Sequence, residues 1–108
     1  MDYVEYADFA KLEIKVVRVL EAGAVEGSKK LVRLKVDVGD TERTVVAGIA
    51  DQYDPDELIG MKIVMLLNLK PKIIFGVESQ GMILAADSGS VVSVLRADKD
   101  MPEGSVVR

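Results

Sequence analysis

The segment NLKPKIIFGVESQGMILAAD, residues 68–87, leaves one apolar strand, breaks at Pro71 between two lysines, and enters another strand at Gly81. Gly76 and Gly81 mark positions where the backbone turns sharply or where another group approaches closely. Loops that a rigid scaffold holds at both ends often carry binding groups. From these residues alone, the segment is either a binding loop or a connection in which proline and glycine only make the turns.

The strands on either side of this segment predict an all-β domain. Residues 62–69 are almost wholly apolar, which is typical of a central strand. Residues 32–38 alternate apolar and polar side chains, so we expect one face of that strand to be buried. Gly39-Asp40 closes a hairpin to a returning strand at 44–48. Further strands are predicted at residues 82–86 and 91–95.

The N-terminal quarter combines a short helix with a long strand. A helix of one to two turns is predicted from the apolar residues Val4, Tyr6, Phe9 and Leu12. Residues 14–25 form a strand in which the adjacent Val16 and Val17 predict a bulge or bend. Between the third and fourth strands, Asp54 is the expected N-cap of a second short helix with Pro55 at its first position. This order fits a five-stranded Greek-key barrel, the OB-fold, but the pattern leaves an SH3-like barrel or a β-sandwich open.

Composition limits the possible functions. The 108 residues predict one domain, 1–108, and cysteine and histidine are both absent. A disulfide scaffold, a zinc site of thiolates and imidazoles, and a His- or Cys-based catalytic site are therefore excluded. We predict no metal and no cofactor. The sequence has neither a long apolar run nor a signal-peptide pattern, so it predicts a cytoplasmic protein with no membrane partner.

The net charge of −4 argues against a nucleic-acid partner unless the charges are segregated. Screening limits the reach of exposed charges to about 8 Å at physiological salt, so a local basic face can exist on an acidic protein. The acids concentrate at Asp51, Asp54, Asp56 and Glu57. The bases concentrate at Lys29, Lys30, Arg33 and Lys35, and again at Lys62, Lys70 and Lys72. The alternative is that these bases are solvated strand and loop residues.

Three blocks, in order, resemble one family. They are DFAKLEIKVVRV at 8–19, KKLVRLKVDVGD at 29–40, and NLKPKIIFGVESQGMILAA at 68–86. The sequence resembles the tRNA-binding domain at the C-terminus of many methionyl-tRNA synthetases, which also occurs as a free-standing tRNA-binding protein and in the endothelial monocyte-activating polypeptide group. The resemblance implies the OB-fold, with a short N-terminal helix and a C-terminal extension.

The same resemblance implies a non-catalytic tRNA-binding module that is a C-terminal domain or beta subunit assisting methionyl-tRNA synthetase. The synthetase's catalytic chain is then a possible partner, and the chain is not itself an enzyme. A branch of the family is an export-related chaperone, so binding of apolar peptides is the alternative. The implied tRNA contacts are Asn68, Lys70, Lys72, Ser79, Gln80 and Met82, extended by Lys29, Lys30, Arg33 and Lys35. For Ser79 a loop cap, and for Met82 a core position, are the structural alternatives.

Two features depart from the family. Ile73, Ile74 and Phe75 occupy places where many members carry further basic residues, which predicts weaker and less salt-sensitive binding. Phe75 could compensate by stacking on a base, or could plug the end of the barrel. Residues 25–30 also lack the His-Pro start often seen there, although Lys29 and Lys30 keep that region basic.

Both ends of the chain carry more apolar side chains than a small barrel needs. They include Val4 and Phe9 at one end and Leu95 and Val106 at the other. Exposed together, such residues form a patch larger than monomers usually tolerate. Free-standing members of the resembling family are homodimers. We therefore predict a homodimer joined through extensions at 1–13 and 91–108, against the alternative of a monomer whose ends fold back.

Overall fold

A computed structural model describes all 108 residues. It contains two short helices, α1 (Tyr6–Ala10) and α2 (Pro55–Leu58). Neither helix has the length and apolar character needed to cross a membrane. The strands are β1 (Ile14–Ala24), β2 (Val32–Asp37), β3 (Glu42–Ala47), β4 (Lys62–Leu66), β5 (Lys72–Ile74), β6 (Val77–Ser79), β7 (Met82–Ile83), β8 (Ala85–Asp87) and β9 (Val92–Val94).

Five strands form one antiparallel sheet in the order β3-β2-β1-β4-β7. The sheet curls into a nearly closed barrel, which confirms the predicted all-β, OB-like fold. Strands β5 and β6 form a separate hairpin, and β8 and β9 form another. We predicted a loop in this segment, and the structure shows that the loop contains the β5–β6 hairpin. The β-branched residues on both sides of a two-residue turn at Phe75-Gly76 explain why the chain pairs with itself there.

The alternation predicted for β2 is confirmed. Val32, Leu34 and Val36 are fully buried, whereas Arg33 and Lys35 are exposed on the outer face. The buried side chains join Val17 and other residues in one core cluster inside the barrel. The barrel therefore presents the basic side chains of β2 to solvent on a rigid surface.

The bulge in β1 lies between Val19 and Glu21, where the pairing with β2 shifts register, and not at Val16 and Val17 as predicted. Residues 14–18 pair with β4 in regular register. Val16 and Val17 are adjacent and both buried because both faces of β1 are covered at its start. Val17 packs inside the barrel, and Ile14 joins a small cluster outside it with Val107 at its edge.

The barrel closes where β3 meets the residues that precede β7. The Val46 N–H donates to Ser79 Oγ at 3.0 Å, and the Thr44 N–H donates to Gln80 Oε1 at 3.0 Å. The Gln80 N–H donates to the Thr44 carbonyl at 2.8 Å. Side-chain oxygens thus replace part of a strand ladder along the edge of β3. Backbone groups that would be unpaired at this edge are satisfied in this way.

Gly81 allows the chain to turn from this closure into β7. Its φ is +128°, and a Cβ atom placed there would lie 2.5 Å from the Leu66 carbonyl oxygen and 2.6 Å from the Met65 methyl group. No side chain fits so close to backbone of β4. Glycine is therefore required at this position by both conformation and space.

The two ends of the chain are held differently. Residues 104–107 run beside β1, where the Gly104 and Val107 N–H groups donate to carbonyls of Val16 and Ile14. Arg18 fixes this segment further through an ion pair of 2.9 Å to Glu103. Helix α1 has no buried residue. The C-terminal end thus folds back onto its own barrel, whereas the N-terminal helix leaves its apolar side chains exposed.

We expect Gly81→Ala to lower the free energy of unfolding by at least about 3 kcal/mol, because the added methyl group meets backbone and the φ disfavours any side chain. Gly23→Ala is the matched control, since a Cβ there has nothing within 4 Å. Urea denaturation followed by far-UV circular dichroism measures both. Equal stabilities of the two variants would contradict the role assigned to Gly81.

Candidate nucleic-acid interface

Arg33 lies at the centre of the outer face of the barrel. Its exposed side chain borders three adjoining shallow depressions of about 310, 360 and 280 Å³. The first is lined by β1 and β2 with Thr44, and the second by Thr44 with Gly76–Glu78 and Gln80. The third lies between the β1–β2 loop and the tip of the β5–β6 hairpin. The side chain of Arg33 thus connects the three depressions.

The tip of the β5–β6 hairpin rests against the β1–β2 loop. Phe75 Cδ2 lies 3.5 Å from the position that a Cβ of Gly27 would occupy. Phe75 has a φ of +48° and is the one non-glycine residue of the chain with positive φ. For a bulky residue this conformation costs on the order of 1–3 kcal/mol. The ring is 61% exposed, so the alternative that Phe75 plugs the barrel end is wrong.

Five of the predicted cations are exposed and form neither an ion pair nor a side-chain hydrogen bond. They are Lys29, Lys30, Arg33, Lys70 and Lys72. Two lie in the β1–β2 loop, one in β2, and two at the start of the β5–β6 hairpin. Because none of the five forms an ion pair within the protein, their donors are available to an anionic ligand.

Lys35 differs from its neighbour Arg33 although both lie on the outer face of β2. Its ammonium group lies 3.2 Å from Glu42 and 3.4 Å from Glu21. These two carboxylates, Glu42 foremost, raise the pKa of Lys35 above its ordinary value. The charge of Lys35 is therefore largely compensated within the protein. The lysine predicted for the ligand face holds β1, β2 and β3 together.

Lys62, which the sequence grouped with the basic residues, is also paired. Its ammonium group lies 2.8 Å from Asp100, and this contact holds the pKa of Asp100 below its ordinary value. The ammonium group also donates to the Met101 carbonyl. Lys62 therefore anchors the C-terminal segment to the start of β4.

The polar residues predicted as contacts are engaged within the protein. Ser79 is only 4% exposed, and its hydroxyl both accepts from Val46 N–H and donates to the Gly81 carbonyl. Gln80 is held to β3 as described above. Asn68 Oδ1 accepts from the Glu13 N–H at 2.8 Å, and Asn68 Nδ2 donates to the Lys11 carbonyl at 2.6 Å. These three side chains position the segments that carry the lysines.

Met82 points outward. It is 45% exposed at the start of β7, whereas the next residue, Ile83, is buried in the barrel core. The alternative of a core methionine is therefore wrong. An exposed thioether offers a deformable apolar contact.

The face around Arg33 also carries Thr44, which was not among the predicted contacts, and Phe75, which was predicted either to stack on a base or to plug the barrel end. The Phe75-Gly76 pair between β-branched residues was the sequence signal for a two-residue hairpin turn with an exposed tip. Nothing in the sequence marked Thr44, because its place in the site comes from the pairing of β3 with β2. No three Asp or Glu side chains come together in a cluster suited to a metal ion.

Comparison with known proteins gives a consistent result. The sequence model of one family, described as putative tRNA binding domain, matches residues 14–106. A methionine–tRNA ligase of Methanococcus aeolicus is 53% identical over 107 residues, covering 99% of this chain and 16% of the ligase. A methionine–tRNA ligase of Caldanaerobacter subterraneus is 45% identical, covering 99% of this chain and 17% of the ligase. The chain thus spans about a sixth of the length of these relatives.

Solved structures give the same picture. A methionyl-tRNA-synthetase-related protein from Pyrococcus horikoshii superposes with a TM-score of 0.94 at 41% identity, covering 100% of both chains. The chaperone CsaA from Bacillus anthracis superposes with a TM-score of 0.91 at 26% identity, covering 99% of this chain and 100% of the chaperone. Both comparisons cover the barrel and both ends of the chain.

Ser79 is buried and hydrogen-bonded, whereas Met82 is half-exposed, so their alanine variants should differ in folding free energy. Ser79→Ala leaves the buried Val46 N–H without its acceptor and should cost about 1–3 kcal/mol of folding free energy. Met82→Ala removes a half-exposed side chain and should cost about 1 kcal/mol or less. Denaturant melts of the two single variants measure both values. A larger loss for Met82→Ala than for Ser79→Ala would contradict this assignment.

Proposed function

The chain belongs to the family of putative tRNA-binding domains, and we propose that it binds tRNA through the outer barrel face centred on Arg33. It is homologous to the tRNA-binding C-terminal region of methionyl-tRNA synthetase, a non-catalytic accessory domain. The observation that supports the proposed face is that Arg33 and four further cations are exposed and form no ion pair. We call this set, Lys29, Lys30, Arg33, Lys70 and Lys72, the basic rim.

The chemistry of RNA explains why such a rim suits it. Paired RNA hides its base edges in a deep major groove, so proteins bind it mainly through phosphates and ribose hydroxyls. Phosphate contacts release counterions and supply affinity that falls with salt. The net charge of −4 does not oppose this, because exposed charges beyond about 8 Å are screened.

The predicted contacts take different roles in this proposal. The basic rim contacts phosphates, and Met82 offers an apolar surface to a base or ribose. Ser79, Gln80 and Asn68 act by positioning, since their polar atoms already bond within the protein. Lys35 contributes little, because Glu21 and Glu42 compensate its charge. A direct contact of these four residues with tRNA stays a prediction.

The ligases that match the chain are about six times longer than it is. We propose that the domain assists a methionyl-tRNA synthetase catalytic chain by holding tRNA near it. That chain is either continuous with this one or a separate subunit. The cytoplasmic location predicted from the sequence agrees with such a role and stays a prediction.

A second candidate function is binding of apolar peptides. Ile73 and Phe75 are 72% and 61% exposed on the β5–β6 hairpin, and one similar structure is described as a chaperone. The basic rim around the same hairpin favours tRNA. Titration with total tRNA and with an unfolded apolar peptide separates the two functions.

Reversing two charges of the basic rim tests the proposed face. We expect Lys70→Glu with Lys72→Glu to weaken tRNA binding at least tenfold and to change the free energy of unfolding by less than about 1 kcal/mol, because both side chains are exposed and unpaired. The matched control is Arg96→Glu with Lys99→Glu, which changes the net charge equally on the C-terminal segment. Filter binding with total tRNA measures affinity, and light scattering confirms that both variants keep the wild-type assembly.

The salt dependence gives a second measure. Five phosphate contacts predict a slope of log affinity against log salt of about −4, and the double variant should be shallower by about 1.5. If the Lys70 and Lys72 reversals weaken binding no more than the control, the basic rim is not the site. If the wild-type protein binds no tRNA, the proposed function itself is wrong.

We further propose that the chain forms a homodimer through its N-terminal extension, residues 1–13, with a contribution from the C-terminal extension, residues 91–108. Tyr3, Val4 and Tyr6 are among the most exposed apolar side chains of the chain, and α1 buries none of its residues. A second copy that offers the same surface would cover them in a two-fold contact. Because residues 104–107 already pair with β1, the N-terminal side chains supply most of the proposed contact.

Phe9→Asp should raise the dimer dissociation constant at least 100-fold while the barrel stays folded, because an unpaired charge buried in an interface costs about 3–5 kcal/mol. Phe75→Asp is the matched control, since it makes the same change at the other phenylalanine of the chain. Sedimentation velocity across a concentration series measures both. A wild-type protein that stays monomeric at tens of micromolar would overturn the dimer.

A further inference from the structure

We propose that the ring of Phe75 is a stacking platform for one unpaired base of the bound RNA, with the guanidinium group of Arg33 beside it. This inference rests on the proposed function and adds to it a class of target. The protein would read a flexible or looped nucleotide in addition to the phosphates of the tRNA backbone.

The first observation is the backbone conformation at Phe75. Phe75 and Gly76 both have positive φ, at +48° and +78°, in a two-residue hairpin connection. Such turns favour asparagine, aspartate or glycine at the first position, because a bulky side chain is disfavoured there. The Phe75 side chain does not compensate by burial, since it is 61% exposed. An exposed aromatic residue in a backbone conformation that bulky residues disfavour indicates a function other than stabilising the fold.

The second observation is the set of residues that surround the ring. Gly27, with a φ of +86°, lies against the ring without a side chain of its own. Beyond the ring, the third depression, of about 280 Å³, is lined by Ala24, Val25, Glu26, Arg33, Phe75 and Val77. An aromatic side chain, small apolar side chains, one carboxylate and the unpaired Arg33 thus border one opening. This combination suits a flat heterocycle that has both a π-face and polar edges.

The position of the ring favours an unpaired base over a base pair. A single ring at a hairpin tip can stack on a base that has left its own stack, whereas paired bases inside an RNA helix are covered on both faces. Lys29 and Lys30 lie in the same loop as Gly27 and are free to hold the flanking phosphates. An apolar peptide side chain would gain nothing from these cations, so the same opening fits a nucleotide better than an apolar peptide.

The test compares variants of Phe75 in binding to three probes: total tRNA, a mixed-sequence single-stranded RNA, and the duplex of that RNA. We expect Phe75→Leu and Phe75→Ala to weaken binding of the single strand roughly 5- to 100-fold, the effect of one lost base–aromatic stack. Phe75→Tyr should bind within about twofold of wild type. Binding of the duplex should be unchanged in every variant. Ile73→Ala is the matched control, because Ile73 is an equally exposed apolar residue of the same hairpin that cannot stack.

A spectroscopic signal reports the stack directly. A single strand containing 2-aminopurine should lose fluorescence on binding wild type and Phe75→Tyr, but much less on binding Phe75→Leu. Phe75→Asn creates the Asn-Gly pair that this turn favours, so its melting temperature should equal or exceed that of wild type while its single-strand affinity falls. An unchanged or higher melting temperature together with a lower single-strand affinity would show that the ring serves binding and not folding.

The outcomes separate the two proposals. If wild type binds tRNA and the Lys70 and Lys72 reversals weaken it, but Phe75→Ala and Phe75→Leu bind the single strand normally, only the stacking platform is wrong. An equal loss for Ile73→Ala also overturns it, because a general apolar patch would then explain the effect. If wild type binds none of the three probes, both proposals are wrong.

Discussion

The closure of the barrel between β3 and residues 79–81 is the constraint on which the site depends. The edge of β3 would otherwise present the backbone groups of Thr44 and Val46 to solvent or to another strand. Ser79 Oγ and Gln80 Oε1 accept from these N–H groups, and Gly81 lets the chain pass within contact distance of the Leu66 carbonyl. The same residues end the β5–β6 hairpin, so the closure also fixes where the hairpin stands beside β2.

The distribution of ion pairs explains how an acidic chain can carry a basic face. Lys35, Lys62 and Arg18 are each paired with carboxylates, and these pairs tie strands to one another or fasten the C-terminal segment. The basic rim has no carboxylate partner. Net charge therefore does not predict the charge of this face, because the cations that form ion pairs lie elsewhere in the fold or hold strands together, and those of the rim form none.

A contribution to folding stability does not account for the conformation of the β5–β6 hairpin. The hairpin forms a two-stranded sheet outside the barrel, and its tip holds Phe75 in a conformation that bulky residues rarely adopt. Two-stranded hairpins are marginal by themselves. The hydrogen bonds of Ser79 and Gln80 to β3 keep this one in place. A rigidly held tip binds at a lower entropic cost than a mobile one.

The sequence by itself determined the all-β class, the buried face of β2, the short capped helix at Pro55, and the family, because each depends on local pattern or on contiguous motifs. It also predicted cations in the β1–β2 loop, in β2 and before β5. Only the tertiary structure decided which of these cations are free, since the carboxylates that pair with Lys35 come from two other strands. Likewise, the buried hydroxyl of Ser79, the outward direction of Met82 and the position of the bulge depend on which strand lies alongside. Periodicity along one strand does not specify its neighbour, and the neighbour determines whether a polar side chain faces a ligand or completes the fold.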